Sequence, residues 1–311
     1  MNTHQLRRPT AEDAALIHDL VSACDLAVLG RVDTPIEDVA DELVEPEFDL
    51  DSDGWIAEDA GGRAVGWAWA CRKADSDNVD VEVLVRPGTE GLSAGLWALV
   101  LGRAKEIATE LGHAAATVDI GIYRDDEAKR AEAAGYGFEP GTSFHRMRID
   151  FAGPVTAPDP LPGVTLRTGE DEAVRRQAHH IHQEGFADHF GFVKNDYDAW
   201  HARRQAQSGN DWSQVIVASV DGEPAAMIQS TNAFVPDEDC GYVGTLSTLP
   251  AHRGRGLGRH LLLESFARDA ARGRKGTILH VDSNNTTPAL GLYTSAGMRP
   301  IMVIDVWRRR I

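Results

Sequence analysis

The two halves of this 311-residue chain carry the same landmark residues at a nearly constant separation of 160 to 163 positions. A constant offset over many landmarks indicates the tandem duplication of a whole domain. We therefore expect two similar domains rather than one large core. The matched pairs are Leu6 and Leu166, Gly62 and Gly222, Pro87 and Pro250, Gly91 and Gly254, Gly95 and Gly258, Asp119 and Asp282, and Gly137 and Gly297.

A proline-rich segment separates the two halves. The stretch from Gly153 to Gly163 holds four prolines in eleven residues, which makes it stiff, extended and poor in backbone donors. Such a segment is typical of an interdomain linker. The sequence therefore predicts an N-terminal domain of residues 1–151, a linker of residues 152–163 and a C-terminal domain of residues 164–311.

Both halves show the same order of predicted elements. A short strand leads into a helix, and a strand pair follows, with a turn at Gly61-Gly62 in the first half and at Asp221-Gly222 in the second. A strand that ends at a proline comes next, then a long helix, another strand, a short helix and a last strand. Each half is therefore predicted to be an α/β domain in which helices flank a mixed β-sheet.

Composition excludes several classes of protein. The formal net charge is −17, whereas nucleic-acid binding needs a basic face. No apolar run reaches the length of about 18 residues that a membrane span needs, and the N-terminus does not resemble a signal peptide. The three cysteines are too widely spaced for a disulfide framework or a metal motif. We expect a cytoplasmic protein without a bound metal, in which His179, His180 and His182 are solvated helix residues.

One segment of the second half has the features of an anion-binding turn. It runs Arg253-Gly254-Arg255-Gly256-Leu257-Gly258-Arg259, between a strand that ends at Pro250 and an amphipathic helix. Glycines let a backbone approach an anion closely, and a helix N-terminus adds positive potential. Residues 151–311 carry 18 acidic and 17 basic residues, against 30 and 14 in residues 1–150, so only the second half does not repel an anion.

A second motif follows in the same half. It runs Asn285-Thr286-Thr287-Pro288-Ala289-Leu290-Gly291-Leu292-Tyr293-Thr294-Ser295-Ala296-Gly297-Met298. The two segments fit R-x-x-G-x-G and N-x3-A-x2-L-Y-x3-G-M. With them the second half resembles the GNAT acyltransferases, which transfer an acyl group from acyl-CoA to an amine. The tandem layout is similar to that of two-domain GNAT proteins of the mycothiol synthase type.

The resemblance implies a fold and a cofactor. Each domain would be a mixed sheet that splays between its fourth and fifth strands, and acetyl-CoA would bind in the C-terminal domain. The backbone of residues 253–259 would hold the diphosphate, Asn285 would bind the pantetheine arm, and Tyr293 would protonate the departing thiolate. Backbone N–H groups of the strand before the turn would bind the acyl carbonyl. The candidates for these groups are Leu246, Ser247 and Thr248.

The resemblance implies that the acceptor is the primary amine of a small molecule. The sequence does not define its general base, and Glu238 and Asp239 are candidates that compete with an ordinary solvated acidic turn. His189 and Phe190 fall where the resemblance puts the border of the acceptor pocket. The run from Asp33 to Asp59 holds twelve acidic residues and no lysine or arginine. It is either a solvated face or a field that attracts a cationic acceptor.

The first half lacks the features on which this chemistry depends. Glu90 stands at the position that corresponds to Arg253, and Ser93 stands at the position that corresponds to Gly256. A carboxylate and a side chain at these positions oppose a diphosphate. Ala133 stands at the position of the tyrosine, so the proton donor is missing as well. We expect a degenerate copy that does not use acyl-CoA.

Two other classes of function stay open. The stretch Gly91-Leu92-Ser93-Ala94-Gly95 fits the G-x-S-x-G turn of serine hydrolases, with Ser93 as the nucleophile, although the duplication explains its glycines. The chain is alternatively a sensor or scaffold that binds acyl-CoA without turnover, although such a module has no need of a proton donor. The oligomeric state is open between a monomer and a homodimer.

Overall fold

The structure is a computed structural model that describes residues 4–284 and 289–311. These residues form two compact units. The first unit runs to Thr142 and also includes Ile304–Ile311, whereas the second unit consists of Ser143–Val303. No helix within the described ranges is both long enough and apolar enough to span a membrane.

The first unit is a mixed sheet with helices packed on it. Its elements in chain order are β1 (Gln5–Arg7), α1 (Ala14–Leu29), α2 (Ile36–Leu43), β2 (Gly54–Glu58), β3 (Ala64–Arg72), β4 (Asn78–Val85), α3 (Ser93–Glu110), β5 (Thr117–Tyr123), α4 (Glu127–Gly135) and the start of β6 (Glu139–Asp150). The strands β1 to β5 are neighbours in that order, and only β4 and β5 pair in parallel.

The second unit repeats this plan. Its elements in chain order are the rest of β6, β7 (Val164–Thr168), α5 (Glu172–Gly185), α6 (Tyr197–Ala206), β8 (Val215–Val220), β9 (Glu223–Thr231), α7 (Val235–Glu238), β10 (Cys240–Thr248), α8 (Leu257–Ala271), β11 (Gly276–Asp282), α9 (Ala289–Ser295) and the start of β12 (Arg299–Arg310). The strands β7 to β11 are neighbours in that order, and only β10 and β11 pair in parallel.

The boundaries of the units differ from the predicted boundaries of residues 1–151, 152–163 and 164–311, because each unit takes a strand from the other half of the sequence. Phe144–Asp150 of β6 pair antiparallel with β11 of the second unit. Ile304–Arg310 of β12 pair antiparallel with β5 of the first unit. Met147 is fully buried among the apolar side chains of the second unit, so packing as well as the hydrogen-bond ladder fixes this exchange.

Helices cover both faces of the sheet in the second unit. Leu261 and Phe266 of α8 are buried on one face together with Ile228 of β9. Val174 and Ile181 of α5 are buried on the other face. Burial of each such side chain contributes on the order of 2 kcal/mol. This packing on both faces fixes the position of the central strands of the sheet, including β10 and β11.

Candidate active site

Strands β10 and β11 separate part-way along their length. They pair in parallel only as far as Val243 and Leu279, and no further pair joins them in the described residues. Strand β10 nevertheless continues to Thr248 and β11 to Asp282. These are the fourth and fifth strands that begin within the second half of the sequence, so the predicted splay is confirmed.

A cavity of about 490 Å³ lies in the gap between the two strands. Its other walls come from the end of α5 and the following loop, the turn before α8, and α9. This volume lies in the range of sites that enclose a small organic ligand. Where the two strands separate, the cavity is lined by Tyr242, Val243, Gly244, Leu279 and His280.

Strand β10 carries a β-bulge at Gly244. The register with β9 passes from Val243 opposite Ser230 to Thr245 opposite Gln229, so Gly244 is an extra residue on β10. A bulge interrupts the hydrogen-bond ladder and bends the strand. Gly244 also lines the cavity and, since glycine has no side chain, it presents only its backbone there.

The three predicted carbonyl-binding residues, Leu246, Ser247 and Thr248, all line the cavity. The Ser247 hydroxyl donates a hydrogen bond of 3.0 Å to the carbonyl oxygen of Ile181 on α5. The Thr248 carbonyl accepts one of 3.2 Å from Nε of Arg253. The hydroxyl of Ser247 therefore links the sheet to α5. Any contact of Ser247 with a ligand is expected from its backbone.

The predicted anion-binding turn forms part of the cavity wall. Gly254 and Gly256 have φ angles of +74° and +80°, a conformation that residues other than glycine rarely adopt. Gly256 is the N-cap of α8, whose first N–H groups have no partner within the helix. Helix N-termini of this kind bind phosphate groups. Of residues 253–259, all except Arg255 line the cavity.

The arginines of the turn have different roles in the structure. Arg253 ties the turn to its surroundings, because its guanidinium also donates to the carbonyl oxygen of Gly185 at 3.4 Å. Arg255 lies 3.4 Å from Nδ1 of His252 and is exposed. Arg259 is an exposed residue of the first turn of α8. The turn thus presents two cations, Arg253 and Arg259, to the cavity.

Tyr293 lines the cavity from α9, and the residue is 8% exposed. It belongs to the same cluster of buried side chains as Val243 and Leu279, on the α8 face of the sheet. Burial raises the pKa of Tyr293 to about 12, so the hydroxyl keeps its proton at neutral pH. Asn285, predicted to bind pantetheine, lies outside the described residues, as does the predicted helix start at Thr287 and Pro288.

The two predicted general-base candidates lie elsewhere. Glu238 forms an ion pair with Arg148 of β6. Asp239 lies 3.3 Å from Nζ of Lys275. Neither carboxylate is among the residues that line the cavity. Both are therefore compensated by basic partners away from the place where an amine would lose its proton.

His189 and Phe190 follow α5, as expected, but only His189 lines the cavity. The His189 ring lies 4.3 Å from that of Phe186 between centroids. Burial lowers the pKa of His189, which favours the neutral imidazole. Phe190 is half-buried and is not among the cavity-lining residues.

The prediction that the three histidines of α5 are solvated is wrong for two of them. His180 is exposed, whereas His179 and His182 are half-buried. The His182 ring makes T-shaped contacts with Phe186 and Phe192, with centroids 5.0 Å and 5.3 Å away. Burial lowers the pKa of His182 to about 3. The aromatic loop after α5 folds back over the helix, which its sequence pattern alone did not show.

Three polar residues that the sequence did not single out meet where β10 and β11 separate. Nε of Arg146 donates a hydrogen bond of 3.0 Å to Nε2 of His280. Nδ1 of His280 lies 3.1 Å from the hydroxyl of Tyr242. Tyr242 and His280 line the cavity, whereas Arg146 is buried beside the ring of Phe234. Strand register alone brings these residues together, so sequence motifs gave no signal of them.

The corresponding positions of the first unit lack this chemistry. The Ser93 hydroxyl, at the start of α3, donates its hydrogen bond to Glu132 of α4 and not to a histidine. Ala133 is fully buried in α4. A buried serine held by a carboxylate in this way is a packing feature rather than a nucleophile with its base.

Comparison with known proteins agrees with this geometry. Residues 176–298, which span the elements around the cavity, match the Acetyltransferase (GNAT) family. The mycothiol acetyltransferase of Thermobispora bispora is 30% identical over 242 residues, which cover 76% of this chain and 77% of that protein. The chain therefore belongs to the GNAT family of N-acetyltransferases and catalyses acetyl-CoA-dependent acetyl transfer.

Within the family, the chain is most informatively compared with proteins of similar length. The mycothiol acetyltransferase of Catenulispora acidiphila is 28% identical over 322 residues, 94% of either chain. A GCN5-related N-acetyltransferase from Sphaerobacter thermophilus shares the fold with a TM-score of 0.79 and 23% identity, over 99% of this chain and 95% of that one. A tandem GNAT protein from the clavulanic acid biosynthesis pathway has a TM-score of 0.75 and 17% identity, over 99% and 98%.

Proposed function

We propose that this protein transfers the acetyl group of acetyl-CoA to the primary amine of a small molecule, by direct attack in a ternary complex. One observation carries the proposal. A single cavity joins the turn at residues 253–259, which suits a diphosphate, to the buried hydroxyl of Tyr293. An anion-binding turn and a proton donor in the same cavity are what cleavage of a long, phosphorylated thioester requires.

The cofactor is proposed to lie along the separated part of β10. The diphosphate would contact the N–H groups of residues 253–259 and the two cations of that turn. From Thr248 to Gly244 the strand spans roughly 13 Å, at about 3.3 Å per residue. The pantetheine arm would occupy this length, with Asn285 as a proposed contact, and the thioester would lie beside the Gly244 bulge. Backbone N–H groups of β10 would then face the acyl carbonyl.

The reaction is proposed to proceed through a tetrahedral intermediate. The amine attacks in its neutral form, so an ammonium acceptor first gives one proton to water. The nitrogen then forms a bond to the thioester carbon, and the carbonyl electron pair moves to oxygen. Collapse of the intermediate breaks the carbon–sulfur bond, and Tyr293 gives its proton to the sulfur. The nitrogen loses one proton to water, which also restores the proton of Tyr293. We assign the base role to water rather than to Glu238 or Asp239, because both carboxylates are paired outside the cavity.

The acceptor is proposed to be a small, positively charged amine. The chain as a whole carries a charge of −17, which favours encounter with cations. The acidic run from Asp33 to Asp59 is weaker support for a cationic acceptor than its twelve acidic residues suggest. Asp49 accepts hydrogen bonds within its own turn, and Asp53 lies 2.7 Å from Nε of Arg103. These two carboxylates therefore help to hold the first unit together.

The similarity to mycothiol acetyltransferases makes the amine that those enzymes acetylate the first acceptor to test. The test is thiol release from acetyl-CoA in the presence of that amine, a polyamine and an aminoglycoside. We expect one of them to raise the rate well above that with water alone. Binding of acetyl-CoA without acceleration by any amine would favour the sensor alternative instead.

A further inference from the structure

We propose that Tyr242 is a catalytic residue whose hydroxyl donates a hydrogen bond to the carbonyl oxygen of the thioester. His280 and Arg146 are positioning residues that polarise this hydroxyl. The inference rests on the proposed acetyl transfer in the same cavity, and it adds a side-chain donor to the backbone donors of β10.

Strand register places the three side chains in one row. Arg146 of β6 is the direct cross-strand partner of His280 on β11. Tyr242 of β10 is the partner of Ile278, two residues before His280 and on the same face of the sheet. Tyr242 therefore reaches along β11 to His280 at the point where β10 and β11 separate. Its ring is also held by Phe234, with centroids 5.1 Å apart.

The direction of the hydrogen bonds follows from arginine chemistry. A guanidinium N–H can only donate, so Nε2 of His280 accepts from Arg146. A neutral imidazole that accepts at one nitrogen carries its hydrogen on the other. Nδ1 of His280 therefore donates to the hydroxyl oxygen of Tyr242. Since its oxygen accepts from Nδ1, the hydroxyl of Tyr242 does not use its proton toward His280, and Tyr242 lines the cavity that the thioester is proposed to occupy.

The chain of donors begins at a buried cation. Arg146 is 5% exposed, and its guanidinium carbon lies 4.9 Å from the centroid of the Phe234 ring. Consecutive hydrogen bonds in a site of low dielectric polarise one another. A positive charge at the far end of the chain makes the Tyr242 hydroxyl a stronger donor. Such donors act most strongly on an oxygen whose negative charge grows in the transition state.

Tyr242 and Tyr293 approach the gap from opposite faces of the sheet. Tyr293 packs with Val243 and Leu279 on the α8 face, whereas Tyr242 packs with Phe234 and Ile278 on the other. A thioester beside Gly244 would thus have its sulfur toward Tyr293 and its oxygen toward Tyr242. Tyr242 keeps its proton throughout, and the oxyanion's electron pair returns to carbon when the carbon–sulfur bond breaks.

The test uses the full chain, acetyl-CoA and thiol release, with water alone as the acceptor and then with the best amine. Tyr242→Phe keeps the ring that packs on Phe234 and removes only the hydroxyl. We expect kcat to fall about 100-fold, the usual effect of removing one oxyanion donor. The acetyl-CoA dissociation constant, measured by calorimetry, should stay within twofold. Tyr136→Phe, in the first unit, is the matched control and should leave both unchanged.

The outcomes separate this inference from the proposed function. A wild-type rate in Tyr242→Phe contradicts the role of Tyr242 and leaves acetyl transfer standing. A Tyr242→Phe protein that no longer binds acetyl-CoA also contradicts it, because the hydroxyl would then serve to shape the pocket. A wild-type chain that neither binds acetyl-CoA nor releases thiol contradicts both.

The positioning role of His280 has its own test. Glutamine offers one acceptor and one donor and can bridge Arg146 to Tyr242, whereas leucine cannot. We expect His280→Gln to retain at least tenfold more kcat than His280→Leu, with equal acetyl-CoA affinity in calorimetry. Equal kcat in the two variants would overturn the chain of donors, since a packing role does not distinguish them in this way.

Discussion

The Glu90 carboxylate accepts a hydrogen bond of 2.7 Å from the backbone N–H of Gly88, in the turn that leads into α3. Backbone donors of this kind hold the pKa of Glu90 below its usual range, so the side chain stays charged. The turn is the counterpart of residues 253–259 in the second unit. The first unit therefore carries its own anion at the place where the second would bind a diphosphate.

Replacement of Tyr293 by phenylalanine should lower turnover and leave cofactor binding nearly intact. The ring fills the same space, whereas the proton for the leaving thiolate is lost. General acid catalysis contributes about 10²- to 10⁴-fold, so kcat should fall within that range. Stopped-flow thiol release and calorimetry with acetyl-CoA measure the two effects. Turnover at the wild-type rate would remove the acid role from Tyr293.

Replacement of Gly254 by alanine should weaken acetyl-CoA binding. Alanine at a φ of +74° costs on the order of 1 kcal/mol, and the turn would relax away from the geometry that cradles a diphosphate. We expect an affinity loss of about fivefold or more. Gly91→Ala in the first unit is the matched control, because Gly91 is not among the glycines with positive φ. An equal effect of both substitutions on affinity would contradict the assignment of the turn.

Acid should destabilise the protein partly through His182. Its pKa is about 3 in the folded protein and 6.5 ordinarily, so between these values the unfolded chain binds the extra proton. The free energy of unfolding therefore falls as the pH drops below about 6.5. From pH 7 to pH 5 the loss from this group is up to about 2 kcal/mol. Urea unfolding of His182→Phe should show a smaller loss over that range; an identical loss would mean that His182 is not the group responsible.

Replacement of Ser93 by alanine should leave acetyl-CoA turnover unchanged within about twofold. Its hydroxyl is buried and donates to Glu132, so the variant tests packing in the first unit only. A modest loss of stability, about 1 kcal/mol, is expected from the broken hydrogen bond. Loss of hydrolytic activity toward a model ester in Ser93→Ala would instead revive the hydrolase alternative.

The duplication of the domain and the anion-binding turn could both be predicted from local sequence. The constant offset between matched residues predicted two similar units, and the glycines of residues 253–259 predicted the turn. Both predictions were possible because glycine positions and helix starts depend on residues that are adjacent in the chain. The splay between β10 and β11 followed from the family resemblance. Local patterns also predicted the hairpin at Asp221-Gly222, where both residues have positive φ.

The rest of the site depends on contacts between distant residues. Nothing in the sequence pattern of β6 shows that it pairs with β11, so the exchange of strands between the two halves could not be predicted. Arg146 and His280 are 134 residues apart in the chain and meet only through that pairing. The ion pair of Glu238 with Arg148 could not be predicted for the same reason, because Arg148 lies on β6.

The central claim is that the chain holds one acetyl-CoA site, formed by the turn before α8. The most direct measurement is calorimetric titration of acetyl-CoA into the wild type, Arg253→Met and Arg253→Glu. Both variants lose the hydrogen bonds to Thr248 and Gly185, and only the second adds a negative charge. We predict one site per chain, weakened in Arg253→Met and lost in Arg253→Glu. Two sites in the wild type, or one that survives Arg253→Glu, would contradict the claim.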